Sequence, residues 1–148
     1  MWGSYTWSRV TDLFDDAETV RSWDQTHALQ GGVEWRGEHW DLAAAANVHT
    51  GWPTTDLMFT ETGVAIPGQR NTLRHNNFAS VDIRLSRRFD LPRGSLSAFI
   101  EVSNALNRRN RCCLDWDITE DEAGEDVLER GHDYWMPLLP AIGVLWEF

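Results

Sequence analysis

The chain of 148 residues carries 9 Trp, 6 Phe and 2 Tyr, and all 13 of its basic residues are Arg. Hydrophobic residues make up 42%, yet the mean hydropathy is −0.44; the apolar residues are dispersed, and no run approaches the roughly 18 residues of a transmembrane helix. The aromatic and β-branched content argues against intrinsic disorder, and a net charge of −10 argues against nucleic acid as a partner.

Period-two patterning predicts six strands, roughly 2–11, 27–36, 40–52, 78–90, 95–107 and 137–148. In the first, Tyr5 and Trp7 oppose Ser4, Thr6 and Ser8. In the second, Leu29, Val33 and Trp35 oppose Gln30, Glu34 and Arg36. Leu42, Ala44, Ala46 and Val48 alternate less sharply, because Ala43 and Ala45 are small rather than polar. The fourth strand sets Ala79, Val81, Ile83, Leu85 and Phe89 against Ser80, Asp82, Arg84, Ser86 and Arg88. Leu96, Ala98, Ile100 and Val102 repeat this against Ser97, Glu101 and Ser103, with Phe99 an exception. Ile142, Val144, Trp146 and Phe148 close the chain on one parity.

The connections alternate as well. Those at 37–39 and 91–94 are tight and carry Gly or Pro; those near 12–26, 53–77 and 108–136 are long. An antiparallel meander with short turns at one end and long loops at the other is the pattern of outer-membrane β-barrels. A soluble β-sandwich is the competing fold. It would have to bury nine Trp in a small chain. Trp40 and Trp52 lie twelve positions apart, which on a strand tilted near 45° spans roughly 28 Å, the height of an apolar membrane band. With Trp35, Trp146 and Phe148 they form candidate interface aromatics, whereas Phe78 and Phe89 have opposite parity and cannot both face lipid.

Between Asp115 and Asp133 nine acidic residues stand against Arg130 alone, so this segment carries −8 of the net charge. It reads as a solvated external loop, too charged to pack, with a helical turn around Glu120 to Arg130; a cation site has no ordered ligand spacing behind it. Cys112 and Cys113 are adjacent, which makes a poor structural staple, so a free pair and a strained disulfide both stand. Arg108, Arg109 and Arg111 nearby could lower a thiol pKa, but no partner base is evident, so the cysteines are expected to serve loop geometry rather than catalysis.

Several stretches resemble one family. Arg21-Ser22-Trp23-Asp24-Gln25-Thr26-His27 is similar to the segment entering a late strand of TonB-dependent outer-membrane receptors. Trp40 to Thr54 resembles the strand that follows it and its exit. Val81 to Phe89 and Glu101-Val102-Ser103-Asn104-Ala105-Leu106-Asn107 resemble two later strands, and Gly143 to Phe148 resembles the terminal one. The resemblance runs in order through nearly the whole chain. It implies an all-β antiparallel meander of about six transmembrane strands, residues 1–148 being the C-terminal part of a 22-stranded barrel.

Such receptors also have an N-terminal plug, a coupling segment and a signal peptide, none of which is recognisable here. A closed single-chain bacterial barrel needs about eight strands or more, and bare edges are not tolerated in lipid. The chain is therefore expected to be a fragment of a larger receptor.

The resemblance implies residence in the outer membrane of a Gram-negative bacterium and active uptake of a ferric siderophore, cobalamin or similar substrate. Its implied partners are membrane lipid, the receptor's own plug, an energy-coupling complex and the barrel-assembly machinery. Ile142, Val144, Trp146 and Phe148 look like that machinery's recognition element. Glu34, Arg36, Asp82, Arg84 and Glu101 are expected to face the lumen, and Ile83, Ile100 and Val144 the lipid. No cofactor, metal or catalytic residue is expected: His27, His39, His49, His75 and His132 are scattered, and no nucleophile elbow, phosphate loop or zinc-protease motif occurs. The alternative function is a soluble or surface β-domain that uses its aromatics to bind glycan or protein.

Overall fold

A computed structural model describes the chain apart from residues 15, 61–63, 121–123 and 125. It is all-β, with antiparallel pairing and no helix among the described residues. The strands are β1 (Trp2–Trp7), β2 (Thr11–Phe14), β3 (Ala17–Val20), β4 (His27–Arg36), β5 (Trp40–His49), β6 (Pro53–Thr54) and β7 (Leu57–Phe59). There follow β8 (Ala65–Pro67), β9 (Leu73–Arg74), β10 (Phe78–Asp90), β11 (Ser95–Ser103), β12 (Arg111–Glu120), β13 (Asp126–Tyr134) and β14 (Leu139–Glu147).

Six of these form one sheet in the order β1-β4-β5-β10-β11-β14. They are the six strands expected from the alternation, and they succeed one another as a meander. The sheet is open: β1 and β14 each have one partner, and no barrel closes. Four strands are shorter than their patterning suggests, β14 among them at Leu139–Glu147 rather than 137–148. β1 ends at Trp7, β5 at His49 rather than residue 52, and β11 at Ser103 rather than residue 107. Local geometry explains the last of these: Asn104 and Asn107 adopt φ of 48° and 47°, which an extended strand cannot contain.

Residues opposed across antiparallel neighbours share a face. Leu29, Val48 and Ala79 thus share a face, as do Val33, Ala44 and Ile83, and likewise Trp35, Leu42, Leu85, Ile100 and Ile142. Trp40, Phe89, Leu96, Val144 and Trp146 extend this apolar surface toward the short turns. The opposite face carries Gln30, Asn47 and Ser80, then Glu34, Arg84 and Glu101. No hydrophobic side chain among the described residues is buried, and Ile142, Val144 and Trp146 are all exposed. A sheet with one apolar and one polar face, and nothing packed on either, has no core of its own.

Of the aromatics on the polar face, Phe78 opposes His49, and the other two, Phe99 and Trp2, each sit over a glycine. Phe99 pairs with Gly143, and its ring occupies the space a Cβ there would need. Trp2 pairs with Gly32, its indole nitrogen 2.6 Å from the corresponding point. Each ring takes up the space that its neighbour, having no side chain, leaves open.

The connections 37–39 and 91–94 lie at one end of the sheet, and 8–26, 50–77 and 104–138 at the other. In the tight turn Gly94 has φ 91° and accepts the Leu91 amide at 3.0 Å. The long connections are more ordered than their sequence suggests. β2 pairs β3, β7 pairs β8, and β6 pairs β9. The acidic segment corrects the expectation most clearly: β12 and β13 form a hairpin, with Glu120 and residues 126–130 in strands, not in a helical turn. Leu114, Trp116 and Ile118 alternate with Asp115, Asp117 and Thr119, so charge on one parity does not prevent pairing. Asp121, Glu122 and Glu125, also part of the acidic run, lie outside the described residues.

Candidate functional site

The polar face carries all five residues expected there, and a groove on it gathers four. Glu34, Asp82, Arg84 and Glu101 border a groove of about 310 Å³ floored by Ala43 and Ala45, whose small side chains leave the space open. The Arg84 guanidinium lies 3.2 Å from a Glu101 carboxylate oxygen and 3.8 Å from the centre of the Phe99 ring. Asp82 accepts the Ser80 hydroxyl at 3.0 Å and the Asn104 amide at 2.8 Å, so it also fixes the exit of β11. Arg36 shares the face but not the groove; it pairs with Glu34 at 2.8 Å beside the 37–39 turn.

At the long-loop end four polar side chains are buried: Asp24, His49, Asn104 and Asn110. Asp24 is 0% exposed; it accepts the Val10 amide at 2.8 Å, the Thr26 hydroxyl at 2.9 Å and the Arg74 guanidinium. Arg74 also donates to the Gly51 carbonyl at 3.0 Å, so one ion pair ties the first long connection to the second. Burial pushes the Asp24 carboxyl up, but Arg74, the Val10 amide and the Thr26 hydroxyl outweigh it and hold the group below the usual carboxylate range. Asn71, at φ 57°, donates to the Val20 carbonyl at 2.6 Å and strengthens the same link.

Asn110 and Asn104 do equivalent work around the third connection. The Asn110 side chain accepts the Ala79 amide at 3.0 Å and donates to the Ala79 carbonyl at 2.9 Å, replacing the strand partner that β10 lacks there. Asn104 donates to the carbonyls of Arg108 and Met136 and accepts the Arg108 amide, closing the base of the hairpin. The stretch Glu101 to Asn107 thus has a concrete physical role at a strand exit.

Aromatic rings continue this junction. His49 stacks on Phe78 at 4.7 Å between ring centres, and Trp52 meets His49 at 5.0 Å and both Trp23 and Trp135 at 5.5 Å. Trp52 therefore belongs to a cluster beyond the end of β5, and the expected 28 Å pairing with Trp40 on one apolar face is not realised. The expected parity of Phe78 and Phe89 does hold, since Phe78 opposes His49 and Phe89 opposes Leu96.

Beside this cluster opens a pocket of about 460 Å³, lined by Trp23, Trp52, Leu57, His75 and Trp116, with Cys112 and Cys113 in its wall. Burial, together with His132 and Arg111, holds His75 below its ordinary value. The ring nitrogen Nδ1 of His132 is buried without a partner. Both cysteines are free thiols. The nearby arginines do not lower the Cys112 thiol. Burial, then the neighbouring Cys113 thiol and Asp133, push Cys112 up to about 11. Arg108 is engaged by the Asn77 carbonyl and Arg109 faces the Tyr134 ring.

Sequence reasoning found the polar groove by parity but missed the pocket, whose walls come from residues about 90 positions apart. Alternation in 114–119 is the one local signal for the hairpin that contributes its cysteine wall. Ile142, Val144 and Trp146 stand on the apolar face of the edge strand β14, with Trp146 edge-on to Phe148 at 5.7 Å. No group of three or more His, Cys, Asp or Glu side chains converges as a metal site among the described residues. No protein-family model, curated protein or solved structure matches the chain.

Proposed function

We propose that the chain is a segment of the wall and external loops of a TonB-dependent outer-membrane receptor, the C-terminal portion of a 22-stranded barrel. In this reading it serves active uptake of a small substrate of the siderophore or cobalamin kind. The observation that carries the reading is the six-stranded meander itself, apolar on one face, polar on the other, with no buried hydrophobic side chain among the described residues. A soluble domain buries its apolar face; a transmembrane wall turns that face to lipid. The segregation of tight turns to one end and hairpin-bearing connections to the other supports the same reading, as does the Arg87 guanidinium, 5.1 Å from the Trp40 ring centre at the turn end of the apolar face.

In this arrangement the apolar face meets lipid and the groove of Glu34, Asp82, Arg84 and Glu101 meets the plug. The free edges of β1 and β14 pair with the remaining strands, and β14 presents its ladder to the barrel-assembly machinery. The loop-end pocket faces the outside. Transport itself depends on the plug and the energy-coupling complex.

Spin labels test the wall directly. In a cysteine-free background within the intact receptor, a label at Ile83, Ile100 or Val144 is expected to be relaxed by oxygen dissolved in lipid. One at Asp82 or Glu101 is expected to be relaxed by a water-soluble nickel chelate. Equal access of the chelate to all five positions would overturn the reading in favour of a soluble β-domain.

A further inference from the structure

The adjacent thiols have no role in the wall or in the polar junction, and their placement is specific. Across the β12–β13 ladder the register slips between Arg111 and Cys113, leaving Cys112 as the extra residue of a bulge. A bulge interrupts the strict up-and-down alternation of a strand. Both cysteines consequently line one pocket, in company with Trp23, Trp116 and Leu114. Both are free, and neighbouring residues form a disulfide only through a strained ring.

We propose that Cys112 and Cys113 form a two-sulfur site for a trivalent organoarsenical, the arsenic bridging the thiols and its organic substituent lying in the indole-lined pocket. Three observations select this ligand class. No third His, Cys, Asp or Glu joins the pair as a ligand group among the described residues, which disfavours a tetrahedral zinc-type ion. Burial and the neighbouring thiol keep Cys112 protonated, which disfavours a cation needing two thiolates but leaves a condensation with neutral thiols open. The pocket, about 460 Å³ with three indoles in its walls, accommodates an aromatic or alkyl group.

The step balances without an oxidant. An oxo-arsenical, R–As=O, condenses with two S–H groups. Two S–H bonds and the As=O bond break, two As–S bonds form, one water leaves, and arsenic stays trivalent. Held by both sulfurs, the ligand resists monothiols, because loss of one bond leaves the other to recapture it.

The probe is phenylarsine oxide, applied to the full chain in detergent after reduction. Mass spectrometry is expected to show one phenylarsenic group per chain with loss of one water, surviving excess glutathione and released by a small dithiol. Cys112→Ser and Cys113→Ser are each expected to weaken retention by about 10²–10⁴-fold, the usual advantage of a second tethered contact. Because any adjacent pair chelates arsenic to some degree, the urea-unfolded chain is the essential comparison. The folded chain is expected to hold the probe at least about tenfold more tightly, a difference Trp116→Ala reduces for phenylarsine oxide but not for arsenite. Equal affinity in the folded and unfolded chains would overturn the built site. So would retention unchanged by either serine variant, or thiols that stay unreactive after reduction. An equal effect of Trp116→Ala on both probes would overturn the pocket's part. None of these outcomes depends on whether the sheet faces lipid.

Discussion

The sheet and the junction at its long-loop end are built on opposite principles. Along β1, β4, β5, β10, β11 and β14 the backbone ladder is complete between neighbours, yet no described hydrophobic side chain is buried. At the junction, among the described residues, Asp24, His49, Asn104 and Asn110 are buried, and Pro53 is the one apolar ring buried beside them. A globular core does the reverse, enclosing apolar groups and leaving polar ones wet. The contrast teaches that order here comes from hydrogen bonds in both regions, and that apolar burial is left to whatever solvent or structure meets the flat faces.

The largest expected effect tests the junction. Asp24→Ala leaves the Arg74 guanidinium, a third exposed at 32%, without its carboxylate, together with the Val10 amide and Thr26 hydroxyl. Removing one partner of a buried pair costs about 3–5 kcal/mol. Amide exchange at Val10 and across β2 and β3 is expected to rise steeply while β10 and β11 stay protected. Uniform loss of protection would merge the two regions into one cooperative unit.

Next comes a test of the sheet. On the wall reading, Ile83→Arg puts a charge on the apolar face near mid-depth and costs about 2–4 kcal/mol, whereas Ser80→Arg on the polar face is close to neutral. Unfolding of the intact receptor in lipid vesicles distinguishes them, and equal costs would remove the difference between faces.

Asn110→Ala is smaller. It strips Ala79 of both its amide and its carbonyl partner, and each unsatisfied backbone group costs about 1–3 kcal/mol less whatever water recovers. Exchange at the Ala79 amide is expected to quicken with no change at Ile83.

The mildest effect is that of pH, and it is confined to the junction. His75 has a depressed folded value, so its contribution is complete above the unfolded value of about 6.5 and declines as pH falls below it. Asp24 is likewise depressed, but its contribution is lost only below about 3.9. Tryptophan emission from the Trp23, Trp52 and Trp135 cluster is expected to shift in two stages on acidification. Leu96→Trp, reporting from the sheet, should show neither.

The sheet was legible in the sequence because a strand writes its two faces as strict alternation, and Ile83 beside Asp82 or Ile100 beside Glu101 states the partition outright. Strand ends were not. At Asn104 and Asn107 the chain leaves the strand through backbone angles that hydrophobic alternation does not encode, and Trp52 has the parity of Trp40 although the strand stops at His49. The polar groove followed from parity alone. The pocket did not, since Trp23, His75 and Cys112 meet only after three separate connections have folded. The acidic hairpin was hidden for a different reason: its charge obscured an alternation that Leu114, Trp116 and Ile118 carry plainly.

The pairing of Phe99 with Gly143 fixes more than local packing. A sheet of alternating aliphatic residues offers many offsets of nearly equal energy, two residues apart, all of which keep the apolar face apolar. A bulky ring that fits above only one vacancy acts as a detent. Sliding β14 by two positions brings Ala141 or Leu145 beneath the ring and leaves Gly143 uncovered. Trp2 over Gly32 sets a second detent at the opposite edge of the sheet. The two edges, where further strands would attach, are therefore the places whose alignment is most tightly specified, and any strand added to either inherits a defined offset.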